Sequence, residues 1–181
     1  MAVENLSGEG VFMEPKITSL DLIYLAGMSF YGDPFSTHGA WSGENEIGRL
    51  WTRCMAYLEG HRDQLQSLWQ AEVMYEVHVY NDETISKGLF EVFVGGPLKA
   101  PEGVPPELLI KTLPAGEYAV FTLEGDEIST DWYAAAETWI GEAGYQRAQS
   151  YIFQLYDERF KGVEQIEDSI LDVYIPVSPA D

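Results

Sequence analysis

Twice along this 181-residue chain the same order of patterns recurs, and that repetition constrains the fold more than any single motif does. In the first half a strand-like run begins at Lys16. It continues through Leu22-Ile23-Tyr24-Leu25-Ala26 to Phe30-Tyr31 and stops at Gly32-Asp33-Pro34. A polar loop with Ser36, Thr37, His38 and Gly39 follows. Ile47, Leu50, Trp51, Cys54, Met55 and Leu58 then recur at helical spacing, a stripe that Ser42 or Asn45 can cap and Gly60 can end. Another short helical turn fits residues 63–69. Residues 73–80 and 89–94, joined through a polar turn at Asn81-Asp82, read as a hairpin.

A Pro-rich connector over residues 97–106 divides the chain, and the order then repeats. Residues 110–123 form a strand pair or one long bent strand ending at Gly125-Asp126. A helix follows with Trp132, Ala135, Ala136, Trp139 and Ile140 on one face, then strands over 151–156 and 170–177. Val79-Tyr80-Asn81-Asp82 matches Leu155-Tyr156-Asp157-Glu158, and Leu89-Phe90-Glu91-Val92-Phe93 matches Ile170-Leu171-Asp172-Val173-Tyr174. Trp51 and Trp139 are expected in equivalent buried places of the two halves. The fold class is α+β. A duplicated strand–helix–strand–strand unit builds a curved antiparallel sheet with two helices on one face and a ligand cleft on the other. Residues 1–13 read as a flexible N-terminus and 14–181 as one domain, with half-repeats at about 14–97 and 107–178.

Charge and composition exclude several functions. Thirty acids against ten Lys plus Arg give a formal net charge of −20, which removes the clustered cations that phosphate contacts need. Direct nucleic-acid binding and an anionic membrane surface are therefore excluded as partners. No apolar run approaches the roughly 20 residues that span a bilayer, and the N-terminal stretch has no signal-peptide pattern, so a cytoplasmic location is expected. Cys54 is the one cysteine and lies in the apolar helical stripe, the place of a buried hydrophobe. The three histidines show no metal-ligand spacing, and no nucleophile–base set emerges. No metal, cofactor or catalytic residue is assigned.

Strand alternation points to a binding surface instead. Tyr75, Val77 and Val79, with Phe90, Val92 and Val94, form apolar sets expected beneath the helices, as do Phe153, Leu155, Leu171, Val173 and Ile175. The opposite face then carries Glu76, His78, Tyr80, Glu91 and Phe93 from the first half, and Gln154, Tyr156, Asp172 and Tyr174 from the second. An aromatic-walled surface dotted with acids suits flat or cationic organic molecules through ring stacking, cation–π contact and carboxylate attraction.

Several of these stretches resemble one known family. Lys111-Thr112-Leu113-Pro114-Ala115-Gly116-Glu117-Tyr118-Ala119-Val120-Phe121, Phe153-Gln154-Leu155-Tyr156-Asp157 and Val173-Tyr174-Ile175-Pro176-Val177 fall where GyrI-like effector-binding domains have their signatures. Glu14-Pro15-Lys16, Ala26-Gly27-Met28 and Phe90-Glu91-Val92 agree more loosely. The resemblance implies a duplicated fold whose central cleft binds amphipathic, often cationic compounds. It also implies a stand-alone member that serves drug sensing or sequestration. Relatives that hydrolyse cyclopropanoids or inhibit gyrase keep a hydrolase of strained or electrophilic compounds, and a protein partner, as alternatives. That family's usual glutamate in the Phe-x-x-Tyr-Asp strand is Gln154 here. An amide cannot neutralise a cation, so either Glu76 or Glu91 supplies the counter-charge or the ligand is less cationic.

Overall fold

The structure, a computed structural model, describes residues 15–37 and 43–180. The sequence expectations for residues 1–13, and those for His38, Gly39 and Ser42, lie outside these. Among the described residues nine strands are present: β1 (Lys16–Leu20), β2 (Ile23–Gly32), β3 (Met74–Val79), β4 (Phe90–Pro97), β5 (Leu109–Leu113), β6 (Gly116–Glu124), β7 (Tyr145–Arg147), β8 (Tyr151–Tyr156) and β9 (Ile170–Pro179). Four α-helices join them: α1 (Glu46–Gly60), α2 (Arg62–Leu65), α3 (Asp82–Lys87) and α4 (Trp132–Glu142).

Local chemistry sets the helix ends. Asn45 caps α1 by accepting from the Gly48 N–H at 2.9 Å, and Leu50 and Cys54, one turn apart, are its buried positions. The expected turn at Asn81-Asp82 is instead the helix α3. The Asn81 side chain accepts from the Glu83 N–H, while Thr84 Oγ1 accepts from the Asn81 N–H, and Gly88 at φ +71° closes the far end. Three cap interactions in six residues favour a helical link over a tight turn.

The antiparallel strands run β1-β6-β9-β8-β3-β4-β2-β5, with β7 added against the end of β9. This order is unchanged when the first-half strands are exchanged for their second-half counterparts. At its centre β3 lies against β8, with Glu76 directly opposite Gln154. Only Asp21 and Leu22 separate β1 from β2, although these strands sit near opposite ends of the sheet. Three residue steps reach about 11 Å at most, so the sheet must curl until its ends approach. Pro114 and Ala115 impose the same closure between β5 and β6.

The curl has a packed inside and a helix-covered outside. Leu25, Val77, Phe93, Leu113, Tyr118 and Phe153, from strands at both ends and the centre, meet in one interior cluster. On the outer face α1 rests Leu50 and Cys54 on Phe90, Val92 and Val94, while α4 rests Ala136 and Ile140 among Phe121, Ile152 and Val173. In the β2–β4 pair Gly27 lies directly opposite Gly95. A Cβ on Gly27 would stand 2.0 Å from the Val94 carbonyl oxygen, so the two backbones pass where no side chain fits.

The α+β class, the curved antiparallel sheet and the two helices sharing one face are as the sequence leads one to expect. The residues beneath those helices are not. Register pairs Glu76 with Val94 and Gln154 with Val173, so β3 and β8 turn their polar sets toward the helices while β4 and β9 turn their apolar sets there. Val77 and Phe153, expected under the helices, are buried inside the curl. Pairing slipped by one residue exchanges the two faces of a strand, and alternation within each strand does not reveal it.

Candidate functional site

Between α1 and α4 the central strands β3 and β8 floor a cavity of about 790 Å³, which lies on the helix side of the sheet and not on the opposite face where the cleft is expected from the sequence. Leu50 and Cys54 point α1 at the sheet, which swings Trp51 across the central strands. The first turn of α4 supplies Trp132 and Tyr133, and Phe160 enters from the segment after β8. Tyr156 meets Trp51 edge-on at 4.8 Å between ring centroids and Phe160 at the same distance, so the rings brace one another.

Glu76 lies at the centre of the floor and is only 4 % exposed. Trp51 Nε1 donates to its Oε2 at 2.5 Å, and His78 Nε2 lies 2.7 Å from its Oε1. Both oxygens thus have a ring-nitrogen partner, Trp51 Nε1 as donor to one and His78 Nε2 beside the other, which fixes the carboxyl group in place. Beside it the Tyr156 hydroxyl donates to Gln154 Oε1 at 2.5 Å, and burial pushes the Tyr156 pKa well above the ordinary phenol range.

Among the described residues the lining contains no Lys or Arg. Nearby cations are already engaged elsewhere. Arg159 grips Asp157 at the rim, Nε lying 3.0 Å from each carboxylate oxygen, and these hydrogen bonds lower the Asp157 pKa. Arg147 sits behind the wall, its guanidinium 5.6 Å from the Tyr80 ring centre and 5.8 Å from that of Tyr133. The cavity is therefore apolar and aromatic, with a fixed acid at its base. A second depression of about 430 Å³ lies along the exposed α1–α2 turn, residues 59–64, and is lined by polar and charged side chains around Gly60.

Four of the nine sequence-derived site residues come together here: Glu76, His78, Gln154 and Tyr156. Tyr80 is on the same side but packs behind them, against Phe90 and Tyr133. The other four lie on the opposite face, because each is paired with an inward-facing residue: Glu91 with Val79, Phe93 with Val77, Tyr174 with Phe153 and Asp172 with Leu155. There Glu91 binds Lys111 at 2.9 Å, Phe93 is fully buried, and Tyr174 stacks on Phe153 at 4.5 Å. Asp172 accepts from Arg159 at 2.5 Å and from Thr122 at 2.7 Å. Sequence reasoning missed Trp51, Trp132, Tyr133 and Phe160 as walls. The signal for Trp51 was its indole N–H, a donor that needs a partner when carried on a packed stripe.

Comparison with known proteins gives this geometry a family. A family model described as "integron-associated effector binding protein" (Cass2) matches residues 16–177. The chain belongs to this family. Integron-associated effector-binding proteins share the GyrI-like fold that the sequence resembles, and solved structures agree on that fold. SAV2435, solved bound to tetraphenylphosphonium, superposes with a TM-score of 0.65 at 17% identity, covering 92% of this chain and 94% of that one. A Staphylococcus aureus MU50 protein described as a putative bacterial transcription regulation protein gives 0.60 at 18%, covering 92% and 99%. An integron cassette protein from the mobile metagenome of Vibrio cholerae gives 0.57 at 16%, covering 92% and 97%. No curated protein sequence matches. As an effector-binding family member the chain needs a cleft for a small molecule, and the α1–α4 cavity is of suitable size and chemistry. Among the described residues no three His, Cys, Asp or Glu side chains converge as a metal site, and no helix is long and apolar enough to cross a membrane.

Proposed function

We propose that this chain captures hydrophobic organic cations in the α1–α4 cleft, for sequestration or sensing, with Glu76 as the counter-charge. One observation carries the reading: a buried acid at the base of an aromatic cavity whose described lining has no Lys or Arg. At ~4 Å and an effective dielectric near 20, a carboxylate attracts a unit cation by about 4 kcal/mol before desolvation. Each Glu76 oxygen already has one ring-nitrogen partner, Trp51 or His78, so the carboxylate is held in place as a fixed charge. That suits quaternary ammonium and phosphonium ions, whose charge is shielded by carbon and whose surfaces pack on rings. The SAV2435 complex with tetraphenylphosphonium supports the same ligand class.

Calorimetry with tetraphenylphosphonium and tetraphenylborate, ions of one shape and opposite charge, tests this. The cation should bind once per chain, and Trp51→Ala should abolish measurable binding while the variant stays folded. Equal or tighter binding of the borate would overturn the reading.

A further inference from the structure

Gln154 is 4 % exposed and lies on the cavity floor directly across from Glu76. Its Oε1 accepts from the Tyr156 hydroxyl, and that hydroxyl makes no other hydrogen bond among the described residues. Tyr156 is half-buried, and its one proton goes to the acceptor held beside it. Turning the amide over would strand that proton, so Gln154 must present oxygen to Tyr156 and carry its nitrogen on the other side. No described residue accepts from that nitrogen. Among the described residues the one side-chain nitrogen or oxygen sealed from open space without a partner is Arg147 Nε. Gln154 Nε2 therefore faces the open cavity, with two N–H donors unspent.

We propose that Gln154 is a specificity-determining donor. Among hydrophobic cations, the cleft prefers those with a hydrogen-bond acceptor, such as a carbonyl oxygen, near the cationic centre. The cation lies against Glu76 and the oxygen accepts from Gln154 Nε2. Directly opposed residues of antiparallel strands hold their Cβ atoms about 4.5–5.5 Å apart, so one compact ligand reaches both. This inference rests on the cation-binding reading of the same cleft.

The test compares (3-acetylphenyl)triphenylphosphonium with its 3-isopropyl isostere, which replaces the carbonyl oxygen by a methyl group. Wild type should bind the acetyl cation about fivefold more tightly, the effect of one net hydrogen bond. Gln154→Glu keeps an acceptor for Tyr156 but deletes the amide donor, and Gln154→Met deletes both. Either variant should lose the acetyl preference while still binding the isopropyl cation. Equal affinities in wild type, or a preference that survives both substitutions, would overturn the proposal. If the isopropyl cation binds in that case, the cation-binding reading stands without it. Failure of both cations to bind wild type would overturn the two together.

Discussion

Glu76 and Trp51 carry the account at the scale of the residue. The carboxylate is central in its strand, and its importance was legible from that position. The Trp51 contact was not legible, because helical spacing places Trp51 on the apolar stripe without saying how far the ring reaches over the sheet. Trp51→Phe keeps the ring and removes the N–H, which leaves a buried Glu76 oxygen without that donor. It should destabilise the fold by about 1–3 kcal/mol in urea titrations, the cost of an unsatisfied buried acceptor. Unchanged stability would show that the indole hydrogen bond contributes nothing to holding the acid. Gln154, singled out because an amide stands where an acid was expected, proves to be the cross-strand neighbour of Glu76. Glu91, the other candidate counter-charge, is paired with Lys111 on the far face.

Elements show where sequence patterns stop being informative. Helix stripes and strand alternation located α1, α4 and the main strands, because each pattern is local and has its own period. Register is set by non-local pairing, and a single-residue choice there reversed which face of β3 and β8 meets the helices. Nor do the two tryptophans correspond. Matching the buried pair Leu50 and Cys54 to Ala136 and Ile140 sets Trp51 against Glu137, while Trp139, half-buried, packs edge-on against the core residue Phe121. Trp139→Ala should therefore cost about 3 kcal/mol of stability, near the low end for large buried aromatics, and leave cation affinity unchanged. Trp51→Ala should act mainly on binding. Loss of binding in Trp139→Ala at wild-type stability would contradict this division. Gly27→Ala should be worse than either for folding, because its clash is with backbone that cannot rotate away. A melting temperature equal to wild type would refute the close β2–β4 approach at Gly27.

The whole molecule combines a strongly acidic composition with a curled sheet that buries several of its phenols wholly or in part. Burial raises the pKa of Tyr156, Tyr80 and Tyr151 above the ordinary value of 10.0. Each keeps its proton in the folded state when the unfolded chain would release it. Their contribution to stability is therefore complete below about pH 10 and declines as pH rises further. Absorbance at 295 nm should show these tyrosines ionising together with loss of near-ultraviolet circular dichroism. Smooth titration of all 11 tyrosines near pH 10 in a folded protein would contradict their burial. A net charge of −20 draws cations from every direction, yet surface charge is screened over roughly 8 Å in physiological salt, so selectivity must come from inside the cleft. The most direct measurement is the affinity ratio of tetraphenylphosphonium to tetraphenylborate in wild type, Glu76→Gln and Glu91→Gln. Glu76→Gln should lower that ratio by about ten- to a hundredfold, the scale of a lost charged contact, and Glu91→Gln should leave it unchanged. A ratio that survives Glu76→Gln and falls in Glu91→Gln would place the ligand on the opposite face of the sheet and contradict the account.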